Sequence, residues 1–195
     1  MLDLHRQAMG HSVSVVQRIG DDQWALPTPC SRWNLRQLVE HMTLENRGFA
    51  AAAGGETSDR TMWTEPTFDA DLRADYTRSA DLVLTAFGAD GVLEGQFWLP
   101  RINDRVMFPA RQAVSFHLLD SVVHTWDVAA ALGRPVALAD ELVAASLDIA
   151  HREVPDGPRR HRPDASFAPP IPPPDDAPAL DRLLAVLGRS PRWPD

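Results

Sequence analysis

The stretch FHLLDSVVHTWDVAAALG, from Phe116 to Gly133, constrains the fold more than any other part of this chain. Leu, Val, Ala, Phe and Trp dominate it, yet it carries His117, Asp120, His124 and Asp127. The four polar positions are spaced by three, four and three residues, so on a helix of 3.6 residues per turn they form one stripe. Val114, Leu118 and Val122 flank the stripe on one side, and Phe116, Leu119 and Val123 on the other. A helix apolar on nearly every other face belongs at the centre of a bundle. The stripe therefore faces the interior or a cleft, where carboxylates and imidazoles need partners.

The rest of the chain supplies helices for such a bundle. Leu2, Val13, Val16 and Ile19 recur at helical spacing and end at Gly20, which predicts a first helix over about 2–20. Asn34 and Gln37 have the spacing of a capping box and open a second helix running to about Ala53, stopped by Gly54 and Gly55. A third spans about Asp69 to Phe87 and ends at Gly88. The segment GQFWLPRINDRVMFP is irregular and suits short strands or an ordered loop. Pro109 sits in the first turn of the fourth long helix, which runs to about Leu132 with Gly133 beyond it. A further helix covers about Asp140 to Arg152. The stretch 155–178 is too rich in proline for regular structure, and the short helix ALDRLLAVLG and the tail RSPRWPD follow it. The expectation is an all-α, up-and-down four-helix bundle. It has an irregular connection before the fourth long helix and a proline-rich C-terminal segment, all in one domain over 1–195.

Asp120 and His124 are four residues apart and can converge on one ion. A carboxylate with an imidazole suits Zn, Fe, Ni or Mn, and the spacing does not choose among them. A third ligand has to come from a facing helix. His41 follows Leu38 by three and precedes Leu44 by three, so it lies on or near the apolar face of the second helix, with Glu40 and Glu45 turned to solvent. The same spacing equally serves a buried hydrogen-bonded pair or a surface ion pair. The aligned stripe and a third inward histidine favour the metal. His117, one turn before Asp120, is either a general acid/base or outer partner of the site or a satisfied core histidine. Asp127 orients a ligand or pairs with an arginine, for which Arg47 and Arg111 are candidates. Trp126 and Trp33 are read as packing residues, and His5, His11, His151 and His161 as solvent-facing or loop residues.

Composition removes several classes. The net charge of −8 argues against nucleic-acid binding, which needs clustered cations on phosphates. All 19 basic residues are Arg, so Schiff-base lysines and a P-loop lysine are absent. The single cysteine, Cys30, allows neither an internal disulfide nor a cysteine zinc cluster, and its loop setting marks it as structural. No apolar run reaches the roughly 18–20 residues of a membrane span. The N-terminus has no basic region leading into an apolar core, so a signal peptide is not expected and the location expected is cytoplasmic.

The motif PTPCSRWNLRQLVEHM, followed at a distance by HLLDSVVHTWDVAAALGRP, resembles the mycothiol-dependent maleylpyruvate isomerase N-terminal family of the DinB-like metalloenzyme superfamily, an actinobacterial group. The ending LDRLLAVLGRSPRW is similar to members of the same group, and the resemblance extends over about Leu4 to Trp193. It implies a DinB-like four-helix bundle with three metal ligands, falling here on His41, Asp120 and His124. In the isomerase the acidic ligand is Glu; Asp is one methylene shorter, so the ion sits closer to the helix or binds more weakly. The isomerase also has an extra C-terminal domain for which this chain is too short. Both departures count against maleylpyruvate isomerisation itself.

Three ligands on Zn leave an open position, as in catalytic sites. A low-molecular-weight thiol there would become a metal-bound thiolate able to attack an electrophilic carbon. The resemblance supplies mycothiol as the thiol. The expected function is thus a metal-dependent transferase or isomerase acting on a small electrophile, with Zn first, Ni next and His117 as the acid/base. The partners are a small thiol and its substrate, with a homodimer left open. The alternatives are a non-catalytic bundle that binds a small molecule or dimerises, and a hydrolase with water in the open position.

Overall fold

In the computed structural model, residues 1–64, 67–162, 165–173 and 175–195 are described. Of the proline-rich stretch expected over 155–178, positions 163, 164 and 174 lie outside the described residues.

Four long helices form the bundle: α1 (Leu2–Val16), α2 (Leu35–Ala53), α4 (Leu72–Phe87) and α6 (Ala110–Ala131), with the short α3 (Thr61–Thr64) between α2 and α4. Helix α2 packs on α4 and α6, and α1 packs on α6 and α4. The boundaries follow local chemistry. Asn34 Oδ1 accepts from the Gln37 amide at 2.9 Å while Gln37 Oε1 accepts from the Asn34 amide at 3.1 Å, so the expected capping box is formed. Helix α4 starts later than Asp69 because Asp71 is its cap, accepting from the amides of Arg73 and Ala74. Helix α1 stops at Val16 because the next amides, of Arg18 and Ile19, tighten onto the carbonyls three residues back. Pro109 precedes α6 as its N-cap residue rather than occupying its first turn.

The connection expected to be irregular folds as a small antiparallel hairpin, β1 (Gln96–Trp98) with β2 (Met107–Pro109), in which Phe97 pairs with Phe108. Its turn holds α5 (Pro100–Asn103). After the bundle come α7 (Asp140–Glu153) and α8 (Ala179–Val186).

Two apolar clusters hold these pieces. One lies inside the bundle, around Leu35, Leu38, Tyr76, Phe87, Phe97 and Val114. The second lies on the far side of α6, where Leu118, Leu119, Val122 and Val123 meet Leu142 and Ile149 of α7 with Leu183 and Leu187. Helix α6 is thus covered on both sides, which is why its sequence is apolar nearly all round.

Candidate functional site

Helix α2 points His41 toward α6, and α6 answers with Asp120 and His124 one turn apart. One ligand atom from each of the three lies within 4.8 Å of the others. His124 Nε2 is 3.3 Å from Asp120 Oδ1, and His41 Nε2 is 3.9 Å from Asp120 Oδ2. The two imidazoles meet edge-on with centroids 5.2 Å apart, and Trp33 stacks on His41 at 4.3 Å. The distances to Asp120 are longer than the 2.7–3.2 Å of a well-formed N–H···O bond, so the contacts within the trio are loose. The His124–Asp120 gap matches the separation of about 3.3–3.6 Å between neighbouring ligands of a tetrahedral ion with bonds near 2.0–2.2 Å, and the 3.9 Å from His41 to Asp120 is somewhat wider. Two imidazole nitrogens and one carboxylate oxygen form a donor set that suits Zn and its neighbours.

Each histidine has a carboxylate on the side of its other nitrogen, within hydrogen-bond distance at His124 and farther off at His41. Asp127 Oδ2 accepts from His124 Nδ1 at 2.8 Å. Glu45 Oε1 lies 3.6 Å from His41 Nδ1. An arginine stands behind each carboxylate: Arg189 Nε on Asp127 at 3.0 Å and Arg101 Nε on Glu45 at 3.2 Å. In both rings Nε2 is the atom turned toward Asp120, and the carboxylate on the Nδ1 side is the arrangement common around metal-ligating histidines.

Burial and the neighbouring charges together set the two histidines in opposite ways. His41 is pushed down to about 3, first by burial and also by its neighbour His124, although Asp120 pulls the other way. His124 is also buried, but the two carboxylates Asp120 and Asp127 outweigh the burial and raise it to about 10. Burial works against the Asp120 charge, yet His124 and His41 hold its carboxyl well below the usual range. Burial pushes Glu45 up to about 7 against the opposing charge of Arg101.

The trio opens onto a cleft of about 500 Å³. Trp33, Glu45, Phe49, Ile102, Phe116 and Leu119 supply its wall, and Arg32, Arg101, Arg159, Arg160 and Arg162 its cationic side. The proline-rich segment contributes directly through Ala165, Ser166 and Phe167. It is held there by Arg160, whose guanidinium donates to the carbonyls of Val186 at 2.7 Å and of Ala168.

Several expectations change. His117 is not in this cleft's wall; its Nδ1 lies 2.9 Å from His5 Nε2, inside a cage of Phe49 and Phe87. His5 is accordingly buried rather than solvent-facing, because α1 packs directly on α6. Glu45 faces the site rather than water, drawn in by Arg101 from the hairpin turn. The arginine of Asp127 is Arg189, from the tail; Arg47 pairs with Asp75 and Arg111 with Glu94. Trp126 packs in the interior, whereas Trp33 packs on a site histidine. The local signal for Asp127 was present in its three-residue spacing from His124, but nothing local pointed to Arg189.

The helical bundle is a DinB-like fold. The chain belongs to the mycothiol maleylpyruvate isomerase N-terminal domain family, whose profile matches residues 5–129. A crystal structure of the mycothiol-dependent maleylpyruvate isomerase, in a histidine-to-alanine mutant, superposes with a TM-score of 0.62. The match has 13% identity and covers 78% of this chain and 67% of that one, so it bears on the fold alone. An uncharacterized protein of Mycobacterium tuberculosis, recorded in strains CDC 1551 / Oshkosh and ATCC 25618 / H37Rv, is 29% identical over 193 residues, covering 96% of this chain and 97% of its own. Among the described residues, no helix is long and apolar enough to cross a membrane.

Proposed function

We propose that this protein is a metal-dependent enzyme that uses a low-molecular-weight thiol of the mycothiol kind to transfer, conjugate or isomerise a small electrophile. The observation that carries the reading is the convergence of His41, Asp120 and His124, within 4.8 Å, on the wall of a cleft of about 500 Å³. That volume suits a small thiol and a substrate together, since ligand sites span about 300–1,000 Å³. A divalent cation held by the three residues, Zn first among them, would act there as a Lewis acid and lower the pKa of a thiol placed at its open position.

The chain's own residues do the rest. Asp127 fixes the His124 imidazole with Nε2 inward, and Glu45 stands beside Nδ1 of His41. Trp33 and Phe49 give the cleft apolar walls, which exclude water from a reactive nucleophile. Five arginines against Glu45, Asp120 and Glu153 leave the cleft cationic, which favours an electrophile that carries negative charge. His117 is left out of the reaction in this reading, because His5 occupies its Nδ1 and neither ring lines the cleft.

The test is to load the protein with Zn²⁺, add mycothiol and a panel of electrophiles with and without carboxylate groups, and follow thiol consumption and product mass. Metal-dependent product formation that is lost in H124A supports the proposal. A protein that binds the ion yet gives no product, and no thermal shift with the thiol, refutes it.

A further inference from the structure

The C-terminal tail reaches the site through Arg189. Arg189 follows Gly188, whose φ of +74° turns the chain sharply after α8. A Cβ at Gly188 would lie 2.6 Å from the Pro169 carbonyl oxygen, so only glycine lets the tail run this close to the proline-rich segment. The turn delivers the Arg189 guanidinium onto Asp127. Nε lies 3.0 and 3.1 Å from the two carboxylate oxygens, and Nη2 lies 3.0 Å from Oδ2. A third nitrogen, Nη1, donates to the Leu187 carbonyl at 3.2 Å, and Phe167 lies under the guanidinium at 5.5 Å. Arg189 is 6% exposed and Asp127 fully buried.

Asp127 Oδ2 thus receives from Arg189 on one side and from His124 Nδ1 on the other. A carboxylate gripped by a guanidinium fork has little freedom to rotate. It can therefore hold the imidazole in one tautomer with Nε2 directed at Asp120. The other histidine lacks so firm a hold, since the gap from His41 to Glu45 is 3.6 Å and Arg101 is more exposed. Arg189 and Gly188 lie beyond the residues 5–129 that the family profile matches, whereas Asp127 and His124 lie within them.

We infer that Arg189 is a positioning residue of the metal centre: by fixing Asp127 it sets His124 for the ion, and it couples docking of the tail after α8, and of the Phe167 stretch packed on it, to cation affinity. The inference rests on the reading of His41, Asp120 and His124 as ligands. Binding at two sites that share one element is reciprocal. The ion must therefore tighten the segment as much as the segment tightens the ion.

Titration of Zn²⁺ against a chromophoric chelator tests this. Wild-type protein taking up one ion per chain, with uptake abolished in H124A, establishes the ligand reading by itself; no uptake by the wild type ends that reading and this inference with it. With uptake established, R189Q is expected to lose about 10–100-fold in affinity, the usual effect of removing an outer partner of a ligand, with R189K between it and the wild type. Because a lone buried carboxylate can unfold the protein, D127N/R189M removes both charges together and is expected to fold, by circular dichroism, and still bind more weakly. The bound ion should slow tryptic cleavage after Arg159 and Arg160 in the wild type but not in D127N/R189M. Wild-type affinity in a folded R189Q or D127N/R189M, or ion-independent cleavage in the wild type, overturns the inference.

Discussion

His5 Nε2 and His117 Nδ1 lie 2.9 Å apart in the middle of the bundle, one from α1 and one from α6, between the rings of Phe49 and Phe87. Two imidazoles this close cannot both carry charge, and burial drives both to the neutral form. His117 is lowered to about 4 and His5 to about 2, with burial as the main cause in each.

The pair makes the fold sensitive to acid. A buried imidazole kept neutral binds its proton less readily in the folded chain than in the unfolded one. Its full contribution is present above the ordinary value of 6.5 and falls as pH drops from there toward about 4 for His117. The slope is about 1.4 kcal/mol per pH unit for each such group. The variant H117Q should therefore show a pH dependence of stability shallower by about that amount between pH 6 and 4.5. Urea unfolding of both proteins at several pH values measures it, and equal slopes would contradict the assignment.

Alanine at His41, Asp120 or His124 should abolish stoichiometric metal uptake without unfolding the bundle. Elemental analysis after gel filtration checks this. The helices owe their packing to the two apolar clusters rather than to these polar groups.

Gly48 on α2 has no room for a side chain. A Cβ there would sit 2.5 Å from the ring of Trp63, a rigid neighbour. The variant G48A should be destabilised by about 1–3 kcal/mol, the usual penalty of overpacking. Thermal unfolding gives the answer, and a stability unchanged from wild type would show that α3 moves aside freely.

Asn34→Ala should remove one half of the capping box and cost about 1 kcal/mol. Because the cap starts the helix that carries His41, the loss should appear in chemical denaturation as a lower midpoint with an unchanged slope.

How far could the sequence be read? The capping box at Asn34 and Gln37, the glycine stop at Gly54 and the all-round apolar character of α6 are local patterns, and the structure reproduces them. The inward spacing of His41, Asp120 and His124 is also local to two helices, and those helices bring the three together. Each of these features is fixed by neighbours within about one or two helical turns, where a 3.6-residue period dictates which side chains share a face.

What lay beyond reach was every partner supplied from far along the chain. Asp127 found Arg189 rather than Arg47 or Arg111, because α8 and the turn at Gly188 bring the tail back across α6. Glu45 turned inward because Arg101 waits on the hairpin turn. His5 and His117 became a buried pair because α1 crosses α6 at that level. The sequence by itself determined which long helices form, roughly where they lie and which of their faces are apolar, since these follow from short-range hydrogen bonding and periodicity. Only the tertiary structure decided which charged groups meet, because a buried ion pair joins whatever two segments the packing of the core happens to bring together.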